Sequence, residues 1–248
     1  MLDLDGRSAL VTGAGGGIGE AVSRLLASRG AKVTVADIDG DRAEAVAASI
    51  DGEAWAIDLS DTARLESLSL PVDILVNNAG VQTVAPIEAF DPERFRQMQR
   101  IMVEAPFLLI RAALPHMYAG NWGRIVNVSS VHGLRASPYK VAYVTAKHAL
   151  EGLSKVTAAE GGPHGVTSNC VNPGYVMTAI VRDQIAEQAE VHGIPEEEVA
   201  ASVFLERNAI KKMIEIDDIA QCVSWLVSDS ARMATGTSFV IDGGWTAQ

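Results

Sequence analysis

Runs that are apolar on both faces alternate with helical stretches along this chain, and this alternation constrains the fold more than any other feature. The strand-like runs, rich in β-branched residues, are residues 8–12, 32–36, 73–77 and 124–128. Such runs are stable where both faces of a sheet are covered, which is typical of parallel sheets with helices on each side. The alternation therefore predicts an α/β fold with a doubly wound parallel sheet.

Helical spacing of apolar residues fills the gaps between these runs, in residues 20–28, 41–49, 92–117, 143–160 and 217–228. The first stretch stops before Gly30, a residue type that favours the left-handed conformation after a helix. No repeat, low-complexity tract or Gly/Ser linker interrupts the chain, so we predict one domain over residues 1–248.

Residues 175–216 are the one long segment that departs from the alternation of strands and helices. Long insertions at the carboxyl edge of such a sheet are usually functional, so we predict a substrate lid there.

The charge balance excludes some classes of partner. Lys and Arg number 20 against 31 Asp and Glu, a net charge of −11. Because nucleic-acid binders neutralise phosphates with clustered Lys and Arg, we expect no nucleic-acid partner and no anionic membrane surface. Residues 183–218 hold ten acidic and three basic side chains, which gives −7. We interpret this acidic segment as the solvated outer face of the lid.

The chain start and the cysteines indicate a cytoplasmic protein. The first residues lack a basic stretch followed by an apolar one, and no apolar run approaches the roughly 18 residues that cross a bilayer. Cys170 and Cys222 form no disulfide framework and have no metal-ligand spacing, so we expect no metal site.

The turn after the first strand has the glycines that a dinucleotide requires. Gly13 permits the tight turn, Gly17 lets the main chain approach a pyrophosphate, and Gly19 lets the helix pack closely on the strand. The helix N-terminus adds unpaired N–H groups for the anion. The predicted phosphate-binding residues are Gly13, Gly16, Gly17, Ile18 and Gly19. A tight turn without a ligand has the same glycines, but here strand, glycines, helix and second strand follow in the required order.

Asp37 ends the second strand and predicts the form of the cofactor. Its carboxylate is placed to accept hydrogen bonds from an adenosine ribose diol and to repel a 2′-phosphate. Since no Arg or Lys lies in the glycine loop, we predict NAD rather than NADP. Asp58 and Leu59, after the third strand, are predicted to contact the adenine amino group, although Asp58 is equally typical of a helix N-cap.

Three further residues have the chemistry of an acid–base site. Tyr143 and Lys147 lie four residues apart at the start of a predicted helix, hence on one face. A tyrosine is a poor acid–base catalyst at neutral pH unless a cation stabilises its phenolate, and Lys147 is placed to do so. Ser130 follows a predicted strand and is placed to hydrogen-bond a substrate oxygen. Each has an ordinary structural explanation when taken alone.

Together with Asn77-Asn78-Ala79-Gly80 and Pro173-Gly174, these motifs resemble the short-chain dehydrogenase/reductase family over essentially the whole chain. The resemblance implies a single Rossmann-type domain, hydride transfer between a nicotinamide and a carbinol or carbonyl carbon, and a homotetramer. It implies that Tyr143 takes the alcohol proton, Ser130 steadies the oxygen, and Lys147 lowers the tyrosine pKa and binds the nicotinamide ribose. It also implies cofactor contacts from Asn78, Ala79, Gly80, Pro173, Gly174, Val176 and Thr178.

Met102 departs from the family pattern, which usually has an Asn here whose main-chain carbonyl holds a water of the proton relay. The carbonyl survives the substitution, but a thioether cannot replace the amide. We therefore expect a weakened helix kink at Met102 and an active but slower enzyme.

The pocket motifs resemble, more narrowly, the bacterial D-3-hydroxybutyrate dehydrogenases. They include Gly80-Val81-Gln82, Val131-His132-Gly133-Leu134, Ser137-Pro138-Tyr139-Lys140, residues 178–184 and Asp242-Gly243-Gly244-Trp245. The resemblance implies a small anionic substrate whose carboxylate is held by Gln82, His132, Lys140 and Gln184, in a site that Ser130, Tyr143 and Trp245 complete. Taken alone, each has an ordinary role that is more common: Gln82 as a loop-capping amide, His132 as a turn residue and Lys140 as a solvated charge. Tyr175 stands where this subfamily commonly has a Trp.

Three functions remain open. The first is NAD-dependent oxidation of D-3-hydroxybutyrate, or a related short 3-hydroxy acid, to the 3-oxo acid. The second is oxidation of another secondary alcohol, such as a sugar, a steroid or an acyl thioester, which would leave the four carboxylate anchors unused. The third is a cofactor-sensing homologue without catalysis. Only Met102 supports the third, and Ser130, Tyr143 and Lys147 argue against it.

Overall fold

Seven parallel strands form the single sheet of the structure, a computed structural model that describes residues 4–178, 181, 185–186, 189 and 193–247. The strands are β1 Ser8–Thr12, β2 Lys32–Asp37, β3 Glu53–Ala56, β4 Ile74–Asn77, β5 Gly123–Val128, β6 Val166–Pro173 and β7 Ser238–Ile241. Their order is β3-β2-β1-β4-β5-β6-β7, and every pairing is parallel. The predicted doubly wound Rossmann-type sheet is confirmed.

The α-helices that the structure describes lie between these strands. They are α1 Gly17–Ala27, α2 Gly40–Ser49, α3 Pro92–Gln99, α4 Ala105–Ala119, α5 Val141–Gly161, α6 Glu196–Val199 and α7 Ile216–Leu226. Gly30 adopts φ +95°, as its position after α1 predicts. Between β3 and β4 there is only one turn of 3₁₀ helix, Thr62–Leu65. None of the described helices is long and apolar enough to cross a membrane.

Alternate residues of the strands point into two different cores. Val11, Val76 and Val126 lie in one apolar cluster with side chains of α1, α2 and α7. Leu10 and Leu75 lie in the other, with side chains of α4. Because side chains on both faces of the sheet are buried in these cores, apolar residues are favoured at successive strand positions, which is the pattern that the sequence shows.

The predicted helix over residues 92–117 is wrong in one respect, because it divides into α3 and α4. A π-helical turn, Arg100–Glu104, separates them, and the Ala105 N–H bonds to the Arg100 carbonyl five residues back. Pro106 follows at the start of α4, where its missing N–H costs little. The inserted turn shifts the face of the helix, and Met102 lies within it.

The long excursion after β6 begins and ends against the sheet. An isolated parallel bridge pairs Val176 with Ile214, so both ends of the segment are fixed near the carboxyl ends of the strands. Between them, α6 continues into a second π-helical turn, Ala200–Phe204. The described acidic side chains of this segment are exposed, as predicted for an outer face; they are Glu196, Glu197, Glu198, Glu206, Glu215, Asp217 and Asp218.

Candidate functional site

A cleft of about 480 Å³ opens at the carboxyl ends of the strands. The chain runs from β1 outward to β3 and then returns to β4 on the other side of β1, so the loops after β1 and β4 diverge there. Open α/β sheets bind their ligands at this kind of switch point. The cleft is lined by Gly13 at one side of the switch and Asn78 at the other.

The glycine loop is tied to the loop after β4 by side-chain hydrogen bonds. The Asn78 amide donates to the carbonyls of Thr12 and Gly13, at 2.9 and 3.0 Å, and the Thr12 hydroxyl accepts from the N–H groups of Asn78 and Ala79. Gly13 and Gly17 adopt φ of +61° and +57°, which favours glycine. A Cβ at Gly13 would lie 2.8 Å from Ala79 Cα, so the two loops are in contact only because Gly13 has no side chain. The open, main-chain-lined cradle fits a dinucleotide pyrophosphate.

Asp37 lies beside the glycine loop. Its carboxylate accepts hydrogen bonds from the N–H groups of Gly15 and Asp39, at 2.8 and 3.0 Å. Arg42, which no sequence motif indicated, also lines the cleft here and pairs with Asp39 at 3.1 Å. The end of the cleft where adenosine is expected thus contains the negative Asp37 carboxylate and the positive, exposed Arg42 guanidinium. Asp58 and Leu59 line the same end, and the Asp58 carboxylate caps the Ser60 N–H at 2.8 Å, so its turn-capping role is present.

Ser130, Tyr143 and Lys147 meet at the centre of the cleft, where β5 ends against the start of α5. The Lys147 ammonium donates to the Val128 carbonyl at 2.7 Å and lies 5.5 Å from the centroid of the Tyr143 ring. Burial raises the pKa of Tyr143, and the nearby Ser130 hydroxyl opposes that rise. Burial lowers the pKa of Lys147 to about 8, while Cys170 and Glu151 act in the opposite direction. That Lys147 lowers the pKa of Tyr143 stays a prediction.

A buried carboxylate that sequence reasoning missed lies behind these three residues. Glu151, one turn after Lys147 on α5, is 5% exposed. It accepts hydrogen bonds from Asn172 at 2.6 Å and from the Ser238 hydroxyl at 2.7 Å. Asn172 also donates to the Ser130 carbonyl at 2.9 Å. The Asn172 side-chain amide therefore links the Glu151 carboxylate to the main chain of Ser130 and helps to hold it in place.

Met102 is fully buried beside the same centre. A Cβ at Gly80 would lie 3.6 Å from Met102 Sδ and 3.8 Å from Lys147 Nζ, so both side chains approach Gly80. Met102 packs in one apolar cluster with Met98 and Ala146. The helix irregularity that we expected to weaken without an Asn side chain is present as the π-helical turn.

The far end of the cleft holds a buried lysine. Lys140 is 5% exposed, and its ammonium lies 3.3 Å from His132 Nε2 and 3.3 Å from the Tyr175 hydroxyl. Burial lowers the pKa of His132 to about 3, with Lys140 adding to the effect, so the imidazole is neutral. Because an ammonium can only donate, Nε2 accepts and Nδ1 carries the proton. Nδ1 has no hydrogen-bond partner within the described part of the chain.

The other predicted substrate contacts have different outcomes. Gln82 lines the cleft beside this end. Trp245 does not line it: its ring is buried and lies edge-on to His132, with ring centroids 5.8 Å apart. Trp245 is held there by the C-terminal turn, since Asp242 accepts from the N–H groups of Gly244 and Thr246. Gln184 lies outside the described residues.

Most predicted cofactor contacts line the cleft, and Gly19 is the exception because it packs against Gly13. Those that line it are Gly13, Gly16, Gly17, Ile18, Asp37, Asp58, Leu59, Asn78, Ala79, Gly80, Tyr143, Lys147, Pro173, Gly174, Val176 and Thr178. Tyr175, which stands where the hydroxybutyrate dehydrogenases commonly have a Trp, also lines the cleft but was not among the predicted substrate contacts.

Comparison with known families and proteins agrees with this geometry. A family model described as short chain dehydrogenase matches residues 7–189. The chain is 40% identical to a D-beta-hydroxybutyrate dehydrogenase of Cupriavidus necator, over 99% of this chain and all of the relative. It is 37% identical to a 2,5-dichloro-2,5-cyclohexadiene-1,4-diol dehydrogenase of Sphingobium indicum, over the full length of both.

Among solved structures, a gluconate 5-dehydrogenase from Burkholderia cenocepacia, in complex with NADP and tartrate, superimposes with a TM-score of 0.87. It is 28% identical and is aligned over 99% of this chain and 97% of its own. The relatives therefore agree on fold and on oxidoreductase chemistry, while their named substrates range from hydroxy acids to a neutral diol.

Proposed function

The chain belongs to the short-chain dehydrogenase family, an oxidoreductase family that uses a nicotinamide cofactor, and from that premise we propose that it oxidises D-3-hydroxybutyrate or a closely related short 3-hydroxy acid to the 3-oxo acid with NAD. The single observation that carries this proposal is Lys140, a buried ammonium in the cleft. Within the described residues it forms no ion pair, and burial alone lowers its pKa to about 8.

A buried charge without a counter-ion is costly, so the site is complete only when an anion enters. A carboxylate can accept from the Lys140 ammonium in place of the water that burial has removed. A neutral substrate such as the diol of the Sphingobium relative would leave the lysine unpaired. The D-beta-hydroxybutyrate dehydrogenase among the relatives supports a short hydroxy acid over a neutral alcohol.

The reacting groups lie between the lysine and the glycine loop. Ser130 and Tyr143 both line the cleft, and Ser130 is close enough to lower the pKa of Tyr143, so a substrate hydroxyl between them would meet both side chains. In the direction of oxidation, Ser130 orients the substrate oxygen and Tyr143 accepts its proton. Lys147, held by Val128, stabilises the phenolate that forms. The bound nicotinamide supplies the hydride acceptor.

We propose NAD as that cofactor because Asp37 stands where a 2′-phosphate would meet a carboxylate. The residues that would hold it are those of the glycine loop for the pyrophosphate, Asp37 for the ribose, and Pro173, Gly174 and Thr178 for the nicotinamide. Arg42 is the feature that favours NADP, and its present pairing with Asp39 supports NAD.

The test is substitution of Lys140 by Ala, with rates followed at the absorbance band of the reduced nicotinamide. We expect the KM for D-3-hydroxybutyrate to rise at least about 30-fold, because one partner of a buried charge pair is lost, while the KM for NAD stays unchanged. Lys155→Ala, an exposed lysine on α5, is the matched control and should change neither constant. Equal effects of Lys140→Ala on both constants would exclude the carboxylate anchor.

A second candidate is a longer hydroxylated acid, as named for the gluconate 5-dehydrogenase neighbour with tartrate. The tartrate bound in that neighbour favours it, since tartrate is a hydroxylated acid. Comparing D- and L-3-hydroxybutyrate, gluconate and a neutral secondary alcohol as substrates distinguishes the candidates. If the protein binds NAD but turns over none of these substrates, the homologue that senses the cofactor without catalysis is favoured.

We also propose that the protein works in the cytoplasm as a homotetramer. Phe107 on α4 is 48% exposed, and β7 is a sheet-edge strand on which Val240 is 39% exposed. Exposed apolar side chains on a helix surface and on a sheet-edge strand are typical of subunit interfaces. Light scattering measures the assembly directly, and Val240→Lys should reduce its mass.

A further inference from the structure

We propose that Tyr175 is a specificity-determining residue, which donates its phenol hydrogen to the anionic group of the substrate beside Lys140. This inference rests on the proposed function, because it concerns the same acid end of the cleft. It adds a second donor to that end and makes the preference for acids depend on two side chains.

The direction of the Lys140 contact leaves the phenol hydrogen available. The ammonium lies 3.3 Å from the Tyr175 oxygen but 5.3 Å from the ring centroid, so it contacts the hydroxyl rather than the ring face. An ammonium has donors only, so the Tyr175 oxygen must accept from it. The phenol O–H then has its own hydrogen left to donate, and no described side chain accepts it. Burial raises the pKa of Tyr175 to about 12, so the hydroxyl remains a donor at physiological pH.

The ring of Tyr175 is held firmly enough to place this donor. It stacks on Phe204, with centroids 4.5 Å apart and planes 20° from parallel, and Phe204 is only 1% exposed. The Tyr175 carbonyl accepts from the Ile214 N–H at 3.1 Å. The preceding residue, Gly174, donates to the Ile241 carbonyl at 2.9 Å. Ring and main chain are thus fixed from both sides, so the donor loses little freedom when a ligand binds.

Two donors from different loops suit a carboxylate, which has two acceptor oxygens. Lys140 precedes α5 and Tyr175 follows β6, yet their polar atoms lie in contact. A neutral carbonyl or ester group would satisfy at most one donor well and would leave the ammonium without its charge partner. Tyr175 therefore increases discrimination between an acid and the corresponding ester.

The experiment compares D-3-hydroxybutyrate with its methyl ester, in wild type and Tyr175→Phe. The variant keeps the ring and its stack on Phe204 and removes only the hydroxyl. We expect kcat/KM for the acid to fall about tenfold or more, as for loss of one hydrogen bond to a charged group, with the value for the ester unchanged. Tyr139→Phe is the matched control: Tyr139 is an exposed tyrosine next to Lys140 and should leave both values unchanged. An equal effect of Tyr175→Phe on acid and ester, or none on either, overturns the inference.

Failure of the proposed function would look different. If the wild type shows no preference for the acid over the ester, the assignment of a hydroxy-acid substrate is wrong. Tyr175 is then tested by calorimetric titration with butyrate, which needs no turnover. Weaker butyrate binding by Tyr175→Phe than by the wild type still supports the donor, and equal binding overturns it.

Discussion

The Lys140 ammonium and the His132 imidazole lie 3.3 Å apart where solvent is almost excluded, so the pair carries one positive charge and not two. Burial lowers the pKa of Lys140 to about 8 and that of His132 to about 3. Above about pH 8 the free site loses its charge, and with it the attraction for a carboxylate. Below that pH, Lys140 is fully protonated. His132 stays neutral there, so the charge of the site does not change near pH 6.5, the ordinary pKa of a histidine.

The first prediction concerns the pH dependence of anion binding. The inhibition constant of butyrate, competitive with 3-hydroxybutyrate, should be constant below about pH 8 and should rise about tenfold per pH unit above it. Lys140→Met should bind butyrate weakly and without this dependence. An inflection near pH 6.5 in the wild type would contradict the neutral state of His132.

The second prediction concerns Glu151, whose carboxylate supports Ser130 through Asn172 and raises the pKa of Lys147. Glu151→Gln can keep both hydrogen bonds, because the Ser238 hydroxyl can also accept. The negative charge is lost, so the pKa of Lys147 should fall further below its usual range. Turnover that depends on the Lys147 charge should then decline at a lower pH than in the wild type. The measurement is kcat against pH, on the alkaline side.

Ser238→Ala is the control for Glu151, since it removes a hydrogen bond to the carboxylate but no charge. We expect its alkaline limit to match the wild type. An unchanged alkaline limit in Glu151→Gln would show that Glu151 is only a packing element.

These residues show what the sequence alone could predict. Strands apolar at every position, and glycines or polar residues directly after them, predicted the sheet and the cleft, because those signals are local and parallel strands bring their carboxyl ends together. The π-helical turn at residues 100–104 has no signal in the apolar spacing, which continues the helical period on both sides, so only the family resemblance indicated a kink at Met102. No local pattern could pair the buried partners of the site. Glu151 contacts Asn172, 21 residues away in the sequence, and Lys140 contacts Tyr175, 35 residues away.

The third prediction concerns the cofactor. Asp37→Ala removes the carboxylate beside Gly15 and the repulsion of a 2′-phosphate, and it leaves Arg42 next to the same position. We expect the ratio of kcat/KM for NADP to that for NAD to rise at least about tenfold. Removing the repulsion between one carboxylate and a 2′-phosphate changes the binding free energy by about 1.4 kcal/mol, which is a factor of ten. Adding Arg42→Ala should cancel most of the gain. A ratio that Asp37→Ala leaves unchanged would place the adenosine ribose elsewhere.

The fourth prediction concerns Met102. The π-helical turn exists without an Asn side chain, so we expect Met102→Asn to leave kcat within about twofold, a difference well under 1 kcal/mol in the barrier. An amide placed among Met98 and Ala146 is buried between apolar side chains, which cannot hydrogen-bond to it. The free energy of unfolding should therefore fall by about 1–3 kcal/mol. Met102→Leu is the control for packing. A large rise in kcat would show that the missing amide limits proton transfer, as the sequence alone indicated.

The last prediction concerns salt, because both the cofactor and the proposed substrate are anions and the chain carries −11. The described acidic side chains of residues 183–218 face solvent, where salt screens them over about 8 Å at physiological strength. Lys140 is buried and screened far less. Raising salt from low to physiological strength should therefore leave kcat/KM for the acid unchanged or increase it slightly. Replacing Glu196, Glu197 and Glu198 by Gln should give a similar increase at low salt and little at physiological salt. A steep loss with salt would mean that long-range attraction captures the substrate, which the described acidic side chains cannot supply and which would require a positive surface near the cleft.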